Sequence, residues 1–267
     1  MMTGWQKITR NVRVISMAFE IEMRQSFTDA FVLFGIIVQP MIVAFMALWM
    51  LRDQVADYAI FVVVGSGMTG LWTTLLFQGG NSITGERWTG TLEPLACAPA
   101  PLRVVVTGKL LADITQSLFS IIFCYAFISI LMGLPVTIAK PWLFAGSIVL
   151  TIIAFIAFGM IIGPLFILNP DFQRFQNGLE FVVYVLSGFL FPIALLPMWT
   201  TPLSYILTPY WAARALHAAS SGSGSNEEIF FCWGMLVLFS VLYFFLSKYL
   251  FRVVLRKARE DATLNMQ

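Results

Sequence analysis

Residues 59–79 read AIFVVVGSGMTGLWTTLLFQG, a run without a single charged side chain. At 1.5 Å per residue, about 20 apolar residues in a helix cross the ~30 Å hydrocarbon core of a bilayer. Lipid offers no partner to a backbone N–H or C=O, so such a run satisfies its own groups as a helix. Apolar runs of similar length recur at 30–51, within 104–132, and at 142–168, 179–197 and 229–251. The third opens on Lys109 and Asp113, so its purely apolar part begins near Ile114. The fifth holds Gly188 and Pro192 and is the one expected to be broken or re-entrant. The fold predicted is an all-α integral membrane protein of six transmembrane helices, organised as one domain over 1–267.

The remaining composition agrees. Only 11% of the residues are charged, with 25 phenylalanines against one histidine, whereas a soluble domain carries about 25% charged residues. The charges are also sorted. Thirteen of the 16 Lys and Arg lie in the N-terminal segment, in 80–109, near 170 or at the C-terminal end; only Arg52, Lys140 and Arg214 fall in the alternate loops. By the positive-inside rule both termini and the 80–109 stretch face the cytoplasm of a cell (inner or plasma) membrane, in a multi-pass chain of bacterial type. Trp49, Trp142, Trp199 and Trp211 suit an outer aromatic belt, and Trp5 and Trp88 an inner one.

Two segments stand apart from the spans. In 5–28, Trp5, Ile8, Val12, Ile15, Phe19 and Met23 recur at helical spacing opposite Arg10, Arg13, Glu20 and Arg24. This reads as a helix in the inner interface, or one packed on the cytoplasmic end of its own protein; the two are compatible. The first 29 residues lack the apolar core and cleavage site of a signal peptide. Residues 198–228 are too long for a turn and too apolar for a solvated loop. They read as one or two short helices re-entering the outer leaflet, followed by the flexible SSGSGSNEE.

The chemistry of the chain is sparse. It has no G-x-x-x-x-G-K-[ST] phosphate loop, no H-E-x-x-H and no G-x-S-x-G. Cys97, Cys124 and Cys232 have no metal-ligand spacing, so no metal site is expected. A serine hydrolase needs Ser and His at one depth, and His217 lies on no apolar run neighbouring the GSG at 65–67. Catalytic residues are therefore not expected, and neither is a cofactor held by this chain.

Polar residues inside the runs fall at helical spacing. Ser66, Gly70, Thr74 and Gln78 form one stripe; Lys109, Asp113, Gln116/Ser117, Ser120 and Cys124 a second; Glu180, Tyr184 and Ser187/Gly188 a third. Gly159-x-x-x-Gly163 offers a small-residue contact. Ordinary helix packing accounts for most of these residues. Lys109 and Asp113 read as an i,i+4 ion pair. Glu180 has no basic residue within one turn, so it reads either as a group facing a wet cavity or as one solvated near the inner surface.

The stretch between the second and third runs is GERWTGTLEPLACAPAP, then GKLLAD. It resembles the permeases of the ABC-2 type exporter family, matching their pattern at Glu86, Arg87, Gly90, Thr91, Leu92, Glu93, Leu95 and Pro99, then Gly108, Lys109 and Ala112. A second resemblance lies in 186–216, at residues 187–188, 192, 196–197, 202, 204–205 and 214. Two departures stand out: Trp88-Thr89 replaces a charged pair, and Thr208-Pro209-Tyr210-Trp211 stands where Pro-Leu-Thr-Tyr is usual.

The resemblance implies that 81–100 is a coupling helix seated in a groove of a separate P-loop ATP-binding subunit, two per complex, which would carry the ATP and magnesium. Residue types suit the role: Leu92 and Leu95 can seat in an apolar groove, Glu86, Arg87 and Glu93 can pair across it, and Gly90 and Pro94 set the bend. It further implies a second permease subunit, identical or homologous. The substrate route would be lined by Gln39, Ser66, Thr74, Gln78, Glu180, Tyr184 and Ser187, beneath an outer gate of Phe191, Pro192, Tyr205, Tyr210, Trp211 and Arg214. The thin polar stripes favour an amphiphilic drug, antibiotic or lipid-like substrate. Export of a lipid-linked polysaccharide by the same architecture is the alternative; an ATP-independent carrier or channel is the alternative from another class. Beyond membrane lipids and these subunits no partner, and no nucleic acid, is expected.

Overall fold

The computed structural model describes residues 4–50, 55–98, 100–132, 137–191, 193–222 and 224–260. Among them the chain is helical throughout, without strands. Helix α1 (Gly4–Thr28) is followed by α2 (Ala30–Leu33) and α3 (Gln39–Met50), joined by a π-helical turn at Phe34–Val38. Next comes α4 (Val55–Thr74), a second π turn (Leu75–Gly79), and the short α5 (Thr84–Trp88) and α6 (Leu92–Cys97). Two long helices follow, α7 (Leu102–Met132) and α8 (Pro141–Leu168). Then come α9 (Pro170–Arg174), α10 (Gln176–Leu186), α11 (Thr201–Ile206), α12 (Thr208–Ser221) and α13 (Asn226–Glu260).

Among the described residues, four helical stretches are long and apolar enough to cross a membrane: Ala59–Trp88, Leu102–Ile130, Pro141–Leu168 and Asn226–Arg256. Two of the six expected spans, the first and the fifth, are not among these four. The first expected run holds a shorter apolar helix, Phe34–Trp49. The fifth supports only α10, because Gly188 takes φ +66° just beyond its end, a left-handed conformation that suits glycine and stops a helix. Proline sets other boundaries: Pro141 and Pro209 stand in the first turns of α8 and α12, and Pro170 follows the end of α8.

The arrangement is centred on α4. Over an apolar 18-residue stretch of its span 83% of the residues are buried, against 22% over the like stretch of α13. Met68, Leu71, Trp72 and Leu75 of α4 and the π turn meet Leu110 of α7 and Phe155 and Phe166 of α8 in one core cluster. Trp72 stands edge-on to Phe155 at 6.3 Å. Small residues allow the close approach: a Cβ at Gly80 would sit 2.6 Å from Phe166 Cε2, and one at Gly159 2.7 Å from Leu75 and Leu110 methyl groups. Helix α13 packs on α8 and α12 and shows Phe231, Leu238, Leu242, Phe245 and Tyr249 on its outer side, the face of a helix that meets lipid.

Helix α1 packs along α7. Its Ala18 and Ser26 are buried there, while Ile8, Val12, Met17, Ile21 and Phe27 stay exposed. Trp49, Trp142 and Trp199 are exposed as a belt requires, but Trp211 is 4% exposed and belongs to the core.

Candidate functional site

The stretch 84–97 folds as two short helices rather than one. Gly90, at φ +72°, reverses the chain between α5 and α6, a conformation costly to any residue with a Cβ. Thr91 Oγ1 closes the turn by donating to the Glu86 carboxylate. From there Glu86 accepts Lys109 Nζ at 2.6 Å, and the same ammonium reaches Glu22 at 3.2 Å. One lysine on α7 therefore joins α1 to α5. Gly108 completes the joint, since a Cβ there would lie 2.6 Å from the Ile15 carbonyl oxygen of α1.

This joint overturns the expected Lys109–Asp113 pair and sets Leu92 and Glu86 in contacts within the chain. Lys109 does not pair with Asp113: two carboxylates from other elements take it, and Asp113 is fully buried with no hydrogen bond to either oxygen. Leu92 is 3% exposed, packed in the protein's own core with Leu95 against it, so it does not present itself to a partner's groove. Glu86 is committed to Lys109. The exposed residues of the segment are Trp88, at 73%, with Thr89, Gly90, Thr91, Pro94 and Cys97; Arg87 is half-buried. The Glu93 side chain and Pro99 lie outside the described residues.

A second polar arrangement fastens α9 and α10 to α4. Gln173 Nε2 donates to Asn81 Oδ1 at 2.6 Å, and Gln176 Nε2 to the Leu76 carbonyl at 2.8 Å. One and two turns further on, Glu180 and Tyr184 continue the same face. Glu180 Oε1 accepts from Tyr184 Oη at 2.6 Å, Thr73 Oγ1 at 2.7 Å and Gln39 Nε2 at 3.2 Å. Tyr184 and Thr73 hydroxyls also touch each other. Glu180 is 4% exposed, so its carboxylate is stabilised by neutral donors from three elements. Neither Arg174 nor Lys109 supplies that stabilisation: Arg174 pairs with Asp171 at 2.9 Å, and Lys109 is held as above.

Of the seven residues placed on a substrate route, Gln39, Glu180 and Tyr184 are brought together, at a closed joint between helices. The α4 contact is Thr73, which sequence reasoning missed; Thr74 bonds the Gly70 carbonyl of its own helix and Ser66 that of Val62. Gln78 instead lines a cavity of about 770 Å³ beside α1, with Glu22, Glu86 and Lys109. Ser187 lies apart, beyond the end of α10, with no partner for its hydroxyl.

On the far side of α4 the expected gate residues cluster. Tyr205 stacks on Trp211 at 5.6 Å and meets Tyr210 edge-on at 5.3 Å, while Trp211 Nε1 donates to the Tyr205 carbonyl at 2.9 Å. Arg214 donates to Tyr210 Oη at 3.0 Å and to Glu228 Oε1 at 2.8 Å. Burial raises the Tyr210 phenol above its ordinary value despite the neighbouring Arg214. Phe191 is half-buried; Pro192 lies outside the described residues. His217, missed as a site residue, stacks on Phe61 at 3.7 Å and sets Nε2 3.1 Å from the Phe189 carbonyl.

These features belong to a membrane chain with short helices hung beneath its central span, and comparison with known proteins agrees. No curated protein matches the sequence. The profile of the ABC-2 type transporter family matches residues 13–220, which takes in most of α1, the Lys109 joint, the Glu180 joint and the aromatic cluster. The chain therefore belongs to the ABC-2 type transporter family, as a membrane-domain transport subunit that is not itself the catalytic part.

Proposed function

We propose that the protein is the permease subunit of an ATP-driven exporter, energised by a separate P-loop ATP-binding subunit and paired with a second, identical or homologous permease. The observation that carries this reading is the Lys109 joint. A push on α5 and α6 passes through Glu86 to Lys109 and Glu22, and so reaches α7 and α1 together. A loop that merely connected two spans needs no such tie.

In this reading 34–49 and 176–197 enter the membrane beside the four long helices, α11 and α12 form the outer lid, and both termini face the cytoplasm of a bacterial cell membrane. The cargo is an amphiphilic drug, antibiotic or lipid-like molecule, in keeping with the apolar interior and its few polar groups. The test is recovery of a complex. Purified alone, the chain hydrolyses no ATP; co-expressed with a P-loop ATPase from a neighbouring reading frame, the two co-purify and hydrolyse ATP. ATP hydrolysis by this chain alone, or no recovery of any such ATPase, overturns the proposal.

A further inference from the structure

A cavity of about 540 Å³ lies between the loop after α10, α12 and the start of α13, a size typical of small-molecule sites. Two of its lining residues hold a buried polar atom without a hydrogen-bond partner. Ser187, 1% exposed, has no partner for its hydroxyl, and His217 Nδ1 is buried and unpaired as well. A buried polar atom without a partner costs about 1–3 kcal/mol, and here the two residues that hold one border the same space.

Their chemistry defines what would satisfy them. His217 Nε2 faces the Phe189 carbonyl, so that nitrogen carries the proton and Nδ1 is left as an acceptor. Burial lowers the imidazole pKa to about 4, which keeps the ring neutral. Phe61 fixes the ring from one face. The serine hydroxyl can donate or accept. Among the described lining residues the only charged groups are Arg214 and Glu228, which are paired at 2.7 Å and cancel. Tyr205, Tyr210 and Ile193 supply apolar wall.

We propose that this cavity binds the polar head of a neutral amphiphile, a hydroxyl or amide that donates to His217 Nδ1 and engages Ser187 Oγ, with its apolar body against the tyrosines. An anionic head finds no uncompensated cation there, and a cationic head no uncompensated carboxylate. The proposal rests on the exporter reading only in treating such a ligand as cargo.

The single histidine makes the site directly observable. The full chain, labelled with ¹⁵N-histidine in lipid nanodiscs, is titrated with 6-phenylhexan-1-ol and, separately, with its methyl ether, which cannot donate. The alcohol shifts the Nδ1 resonance saturably in the direction of an accepted hydrogen bond, and the ether does not. Ser187→Ala weakens the alcohol about tenfold, the loss of one hydrogen bond. Absence of a saturable shift, an equal response to both probes, or unchanged affinity in Ser187→Ala overturns the proposal. Should Ser187→Ala fail to fold, Ile193→Trp decides: a lost response supports the pocket and a retained one overturns it. Neither ATP nor transport enters the measurement, so failure here leaves the exporter reading standing, and failure to recover an ATPase leaves the pocket standing.

Discussion

Glu180 shows how a carboxylate can sit inside an apolar chain without a counter-charge. Three donors converge on one oxygen, and hydrogen bonds to a charged acceptor are worth about 1.5–3 kcal/mol each. Glu180→Gln keeps an acceptor but loses the charge, so we expect a thermal-stability loss of about 1–2 kcal/mol. Glu180→Leu removes the acceptor shared by Gln39, Thr73 and Tyr184, leaving the two hydroxyls only each other and the Thr69 carbonyl, and costs more, about 2–4 kcal/mol. Because the group is closed off at a joint, yield and melting temperature fall before transport per assembled complex does. Equal stability of native and Leu variants, measured on the same nanodisc preparations, would remove the joint. His217 gives the pH dependence. Its folded pKa, about 4, lies below the ordinary 6.5, so its contribution is complete above pH 6.5 and is lost as pH falls toward 4. Thermal melts from pH 7.5 to 4.5 should fall less steeply in His217→Asn than in the native chain, carboxylates being common to both. Sequence made Glu180 visible as a carboxylate needing a partner but could not name Thr73. The stripes 66-70-74 and 65-69-73 are neighbours on one helix, and only the position of α10 chooses between them.

At the scale of elements, long apolar helices are legible because their length is set by the bilayer, and the break at Gly188 was legible because the glycine conformation is. The π turns were not: Leu75–Leu76–Phe77–Gln78–Gly79 carries no composition that distinguishes it from α-helix. The partner of Lys109 was not legible either. Helical spacing offers Asp113, yet Glu22 is 87 positions away and Glu86 is 23 away in sequence, and only packing of α1 and α5 on α7 brings them near. All three side chains are mostly buried, between 14% and 19% exposed. Removing one charge from such a cluster is far more costly than breaking a surface pair. Lys109→Met leaves Glu22 and Glu86 facing each other without a cation, and should destabilise the protein by about 3 kcal/mol. It should also speed amide exchange along α1 and α5, with α8 and α13 unchanged. Gly108→Val should loosen α1 alike by pushing on the Ile15 backbone while keeping every charge. Protection of α1 unaltered in both variants would show that it is held elsewhere.

At the scale of the whole molecule, the question is which surface receives the work of an ATP-binding partner. The pattern Gly90-Thr91-Leu92 draws the eye to Leu92, but that side chain is spent inside the fold, while Trp88 stands free at 73% exposure. On the proposed exporter reading, the departure from the family's usual charged pair puts a large aromatic on the surface offered to the ATPase, and tryptophan is among the residues most enriched in interface hot spots. The two positions therefore fail differently. Leu92→Asp buries an unpaired charge in the core cluster and should lower recovery of folded protein itself, before any question of partners. Trp88→Ala should leave yield and melting temperature within error. It should weaken recovery of the ATPase by about 30-fold, the ~2 kcal/mol of a hot spot, and cut coupled export with it. Cys97, exposed at the end of α6, gives a check without mutation: a thiol label there should be blocked when the ATPase is bound and free when it is not. If Trp88→Ala retains the ATPase and Cys97 labels equally in both states, force enters elsewhere, and the Lys109 joint is a brace between helices rather than a linkage to a motor.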